Sequence, residues 1–136
     1  MEAKIPSKPK NHQVVARNSS EHRSWAIEAA NQAARVLPFF EKEQLDDNRP
    51  RQAIEAVRAW AQGKRMLGME EVRTLSLASH AAAREAKTDA ARFAARAAGH
   101  AVATWHVPTH ATAVPGYARK AIAAVKNKIA SGKATR

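Results

Sequence analysis

The stretch DAARFAARAAGHAVATWHV, residues 89–107, decides the fold class. Eight of its first fifteen residues are alanine, the best helix former because it has no side-chain entropy to lose. Thr88 precedes the stretch as a helix cap, and Pro108 follows it. The residue before a proline avoids the α region, so Val107-Pro108 closes the helix. Phe93, Ala97, His100, Ala101 and Thr104 recur at three- and four-residue steps and form its inner side. Such a helix has few large side chains with which to build a core. Its neighbours must approach closely over alanine and be held by a few large anchors.

The flanking sequence reads the same way. Alternating β-branched runs between turn residues are missing, which excludes a sheet. A first helix follows Ser19 or Ser20, with Trp25, Ala29, Ala33, Val36, Leu37 and Phe40 on its apolar face. Pro38 is expected to kink or restart it. The loop Asp46–Arg49 opens a second helix, with Pro50 in its first turn and Ile54, Val57, Trp60 and Ala61 inward. Gly63 is the expected stop. A third helix is expected from Met69 to Lys87, with Val72, Leu75, Ser79, Ala82 and Ala86 on one stripe. A short helical turn over His110–Val114 follows the fourth helix. Pro115 starts the last one, with Tyr117, Ala121, Ile122, Val125 and Ile129 inward and Gly132 as its end. The fold class is therefore all-α: a compact bundle of about five antiparallel helices built from helical hairpins, since short connections leave chain neighbours side by side. Residues 1–18 read as a flexible basic arm, 19–131 as one helical domain and 132–136 as a frayed tail. The three tryptophans, Trp25, Trp60 and Trp105, are the expected core anchors.

The 136 residues suit a single domain and carry a formal charge of +11. The excess sits at the two ends. Residues 1–20 hold Lys4, Lys8, Lys10 and Arg17 against Glu2 alone, and residues 115–136 hold Arg119, Lys120, Lys126, Lys128, Lys133 and Arg136 with no acid. That leaves 13 of the 23 bases against 11 of the 12 acids in the body, so the whole surface is not a nucleic-acid footprint. Cysteine is missing, which removes disulfide and thiolate chemistry. No secretory h-region and no membrane-length apolar run is present, so the expected location is the cytoplasm and no membrane span is expected.

Catalytic signatures are weak. Gly63 and Gly68 have phosphate-loop spacing, but Met69-Glu70 stands where a lysine and a hydroxyl are needed. The paired acids Asp46-Asp47 and Glu70-Glu71 lie near helix N-termini, where carboxylates complement the dipole. No nucleophile motif is present, so no enzyme activity and no cofactor is expected. His80, His100, His106 and His110 are a conceivable metal cluster if the third and fourth helices form a hairpin, because zinc takes neutral imidazoles. The competing reading has these histidines bonding backbone carbonyls and capping helix C-termini, and no metal site is assigned. On the last helix Arg119, Lys126 and Lys133 are seven apart and share a face, with Lys120 and Lys128 nearby. That helix suits an acidic protein, a phosphate backbone or simple solvation.

The segments DDNRPRQAIEAVRAWAQG (46–63) and SHAAAREAKTDAARFAARAAGHAVATWHVPTHATAVPGYARKAI (79–122), with WAIEAANQAARVLPFFEK (25–42), resemble a family of small bacterial alanine-rich helical immunity proteins, the immunity-protein-five-like domain. The resemblance spans about residues 22–125. It is most specific at Arg49-Pro50-Arg51, at Ala81-Ala82-Ala83-Arg84, and at Gly99-His100 followed by His106-Val107-Pro108-Thr109-His110. It implies an all-α domain that neutralises a cognate toxin of the same cell by binding it. Some relatives carry an exonuclease label, which the scarce carboxylates here do not support. Relatives continue a helix with alanine where this chain has Pro115-Gly116, which moves the expected start of the last helix later. The strong positive charge excludes nucleic-acid mimicry. The expected partner is a cognate toxin or another acidic protein, with Arg84, His106, His110, Arg119, Lys120, Lys126 and Lys128 as partner-binding residues. Nucleic acid is the alternative partner and a histidine-lined metal or small-molecule site the second alternative. A homo-oligomer is compatible with the sequence, because alanine-rich helices pack equally well within a chain or across a dimer.

Overall fold

The computed structural model describes residues 15–135, with side chains through Ala130. Most of the basic arm, residues 1–14, lies outside the described residues, as do the side chains of Lys133 and Arg136. Five α-helices follow in order: α1 (Ser20–Glu41), α2 (Arg49–Ala61), α3 (Met69–Glu85), α4 (Asp89–Ala103) and α5 (Val114–Thr135), with a 3-10 helix at Pro108–Ala113 before the last. They form an all-α bundle in which each helix packs on its chain neighbour, and α1 also packs on α4 and α5.

The centre is α4. It touches all four other helices. Ala91, Ala94, Ala95, Ala97, Ala98 and Ala101 are all fully buried. A helix buried on several sides needs small residues around most of its circumference, because backbones must come close from more than one direction. That is the physical reason for the alanine run. Larger side chains from the outer helices fill the space around it: Trp25, Val36, Leu37 and Phe40 from α1, and Ile54, Val57 and Trp60 from α2.

Local chemistry sets the ends. Ser19 Oγ accepts from His22 N and caps α1, and Thr88 Oγ1 accepts from Ala91 N and caps α4. Gly63 has φ +76, and Gly63 N and Lys64 N donate to Trp60 O and Ala59 O. This pair of bonds is the Schellman closure that a left-handed glycine permits. At α2 the Asn48 side chain makes no cap bond; its neighbour Asp47 accepts from Arg49 N through Oδ1 instead.

Six expectations change. Pro38 does not restart α1: it lies exposed in the last turns, where only one backbone bond is forfeited. The third helix stops at Glu85, two residues early, because Glu43 captures the N–H groups of Lys87 and Thr88. The last helix starts at Val114 and not after Pro115-Gly116, since a proline in the first turn loses no donor. It also runs through Gly132 to Thr135; a glycine with no proline behind it weakens a helix by about 1 kcal/mol without ending it. Ile129, expected inward, is 57% exposed, and Trp105 is only half-buried, with Arg17 over its ring at 5.4 Å.

Candidate partner-binding cleft

A cleft of about 1090 Å³ opens between the C-terminal end of α1, the α3–α4 link, the start of α4 and the second half of α5. Its apolar lining comes from Phe39, Phe93, Ala123, Ala124 and Ile129, and Lys42, Lys87, Lys120 and Lys128 stand exposed around it. Each rim lysine follows from local sequence. Lys42 is the C-cap of α1, where a cation suits the helix dipole. Lys87 sits in the short break between two helices. Lys120 and Lys128 lie eight residues apart on α5, roughly 12 Å along the helix axis. Lys120 Nζ also stands 5.7 Å from the Phe93 ring centroid and 5.4 Å from that of Tyr117, so it is held above the aromatic part of the wall.

The two acids lining the cleft are already engaged. Glu43 accepts from Lys87 N, Thr88 N and Thr88 Oγ1 at 2.7–2.9 Å. Burial pushes its carboxyl up, but these bonds and one from Gln44 outweigh it and hold the group at about 2. Asp89 pairs with Arg92. Every ion pair among the described residues uses an arginine: Arg49 with Asp47 and Glu85, Arg51 with Glu41 and Glu55, Arg65 with Glu71, and Arg92 with Asp89. Among the described residues, the four rim lysines have no carboxylate partner.

The histidines form a different feature. His80 and His100 meet edge to face at 5.2 Å, His100 stacks on Tyr117 at 5.2 Å, and His100 Nδ1 lies 3.3 Å from His110 Nδ1. Arg96 Nη1 donates to His80 Nδ1 at 2.8 Å. Burial, then repulsion from the neighbouring cations, lowers His80 and His100 to about 4, and burial lowers His110. They are therefore neutral packing rings at neutral pH. His106 is exposed and outside the stack. Among the described residues no three histidines or acids are placed to hold a metal ion.

Of the residues expected at an interface, Lys120 and Lys128 line the cleft, while Arg84, His106, His110, Arg119 and Lys126 do not. Arg119 and Lys126 are exposed on α5, Arg84 is exposed at the end of α3, and His110 belongs to the ring stack. Sequence reasoning missed Lys42, Lys87, Phe39 and the placement of Phe93 at the cleft. Their one signal is position: two lysines at helix ends, each close in sequence to a phenylalanine or a helix start. It also missed His22, which is fully buried: its Nδ1 accepts from Asn18 N at 2.9 Å, so Nε2 carries the proton and donates to Thr104 O at 2.6 Å.

The model of one protein family, described as Imm-5 like putative immunity protein, matches residues 16–136. The chain belongs to that family. No curated protein and no solved structure matches it. The match spans all five helices of this Imm-5 like protein, the cleft and the ring stack alike. Among its described residues no helix is long and apolar enough to cross a membrane.

Proposed function

We propose that this protein is a non-catalytic immunity protein that neutralises a cognate toxin in the cytoplasm by stoichiometric binding, and that the lysine-rimmed cleft beside α5 is the contact face. The observation that carries the assignment of the face is the set of four exposed lysines around an apolar wall, none of them in an ion pair among the described residues. Cations left unpaired at a rim raise the rate of encounter with an acidic surface, and an apolar centre supplies the affinity. Family membership supports the toxin-directed role.

The test is growth protection. Cells expressing the protein encoded beside this one, with and without this chain, are compared, and the purified pair is titrated at low and moderate salt. Protection together with binding that weakens at least tenfold over that salt step is the expected result. Failure of protection with no binding at low salt overturns the reading. A second reading, nucleic-acid binding along α5, draws on Arg119, Lys120, Lys126 and Lys128 all being exposed. It expects sequence-tolerant duplex binding whose salt slope drops by about 2 when Lys126 and Lys128 are charge-reversed.

A further inference from the structure

We infer that the cleft receives an acidic amphipathic helix of its partner, an inference that rests on the binding reading above. Three observations lead there. The first is charge. The rim presents Lys42, Lys87, Lys120 and Lys128, while Glu43 is consumed by the α4 N-terminus and Asp89 by Arg92. An occupant must bring carboxylates. The chain's own ends do not qualify: residues 1–20 hold four bases against Glu2, and residues 115–136 hold only bases. A copy of either terminus would add like charge to a site already positive.

The second is shape. The described residues contain no strand, so the partner finds no sheet edge to extend. An extended segment would leave its backbone N–H and C=O groups unpaired against the alanine wall, and each such buried group is unfavourable. A helix satisfies its own backbone and needs only an apolar face, the mode in which anchors at i, i+3, i+4 and i+7 enter a groove between helices.

The third is the floor. Ala123 and Ala124 on α5 line the cleft with small side chains, and the larger Phe93 and Ile129 line it with them. Small residues let a helix approach a helix, and the flanking larger ones fill the grooves beside it. Ile129 is 57% exposed, an aliphatic side chain that the fold leaves uncovered next to the cleft.

The probe is a synthetic three-turn peptide with leucine at i, i+3, i+4 and i+7 and glutamate on its polar face, titrated into the full isotope-labelled chain and followed by backbone amide shifts. The controls are a scrambled peptide of the same composition and a peptide with lysine in place of glutamate. Expected are shifts confined to Lys42, Lys87–Phe93 and Lys120–Ile129, and no saturable response to either control. The double variant Lys120→Glu/Lys128→Glu should lose about tenfold in affinity, and Ile129→Ser about threefold to tenfold, in line with one partly buried aliphatic side chain. Both variants alter exposed positions, and a circular-dichroism melt confirms that they fold.

Shifts on another face, equal binding of a control peptide, or unchanged affinity in both variants overturns the proposal. Duplex DNA that shifts the same amides more tightly than the peptide overturns it in favour of nucleic acid. Shifts of the same amides that depend on protein concentration without peptide overturn it in favour of a second copy. The growth assay separates this from the parent reading. Peptide capture without protection keeps the cleft and removes the toxin; protection retained by the double variant does the reverse.

Discussion

Gly99 lies against the His80 ring so closely that a methyl group there would sit 2.6 Å from Nε2 and 2.8 Å from Cε1. Real Cβ contacts do not come that close, and the ring has little room to yield, since Arg96 holds its Nδ1 and His100 closes on its side. Ser76 Oγ donates to Gly99 O on the same face, and Ser79 Oγ donates to Ala95 O one turn earlier. Here the α3–α4 contact is a close approach of two backbones, with polar side chains of one bonding carbonyls of the other. Gly99→Ala gains up to about 1 kcal/mol in helix propensity and loses about 1–3 kcal/mol through the forced shift of His80. The expected net effect is destabilisation of about 1–2 kcal/mol, read as a lower urea midpoint at unchanged slope. Gly99-His100, which the sequence marked as a family feature, is thus one packing unit: the glycine admits one histidine and the next residue meets that ring edge to face.

At the scale of elements, the first turn of α1 ties down the ends of two other helices. His22 donates to Thr104 O at the end of α4. Arg23 Nη1 donates to Trp60 O at 2.6 Å in the last turn of α2 and lies 4.4 Å from the centroid of the Trp60 ring. The last carbonyls of a helix have no partner within it, and a charged donor there meets the negative end of the dipole. Arg23→Ala removes a charge-assisted bond and a cation–π contact, an expected loss of about 2–3 kcal/mol, measurable by thermal or urea unfolding. Arg23→Lys keeps the charge but not the flat stacking, and should recover only part of it. Glu43 makes an equivalent tie at the other end of the molecule, joining the α1 C-terminus to the α4 N-terminus. Arg49 and Arg51 pair with Glu85 and Glu41 on α3 and α1. These largely exposed pairs contribute little to stability, but they orient the entry to α2, which accounts for the Arg49-Pro50-Arg51 punctuation.

For the whole molecule, the ring stack makes stability depend on acid. His80 and His100 are held at about 4 in the fold against an ordinary value of 6.5. Below 6.5 the unfolded chain binds protons that the fold refuses, so stability is full above about pH 6.5 and falls as pH drops toward 4. Glu43, held at about 2, adds a second loss that starts near the ordinary carboxylate value and continues to pH 2. The expected outcome is a melting temperature flat from pH 8 to 7 and declining below 6.5. Replacing both His80 and His100 with glutamine should flatten the upper part of that decline and leave the lower part, which Glu43→Gln should reduce. Salt should act differently on stability and on binding. The arginine pairs contribute little to stability in the first place, whereas the encounter with a partner draws on the lysine rim, which faces solvent, where charges are screened within about 8–10 Å.

The sequence by itself determined the helices and their class. Alanine propensity, Ser19 and Thr88 as caps, Gly63 as a stop and Pro50 in a first turn are local effects, set by a few neighbouring residues, and they gave five helices at nearly their observed bounds. It also marked Lys120 and Lys128 on the last helix and the histidines of the body. It misjudged Pro38, Pro115, Gly132 and Ile129, because the effect of a proline or glycine depends on its turn, and the inward face of α5 depends on what α5 meets. Only the tertiary structure decided that α4 is the centre, since an alanine-rich helix has no stripe that names its partners. Only it brought Lys42 and Lys87 to Lys120 and Lys128, residues up to 86 positions apart in the chain. Periodicity reports one helix at a time, while a cleft is made where the ends of several helices converge, and no local pattern encodes that convergence.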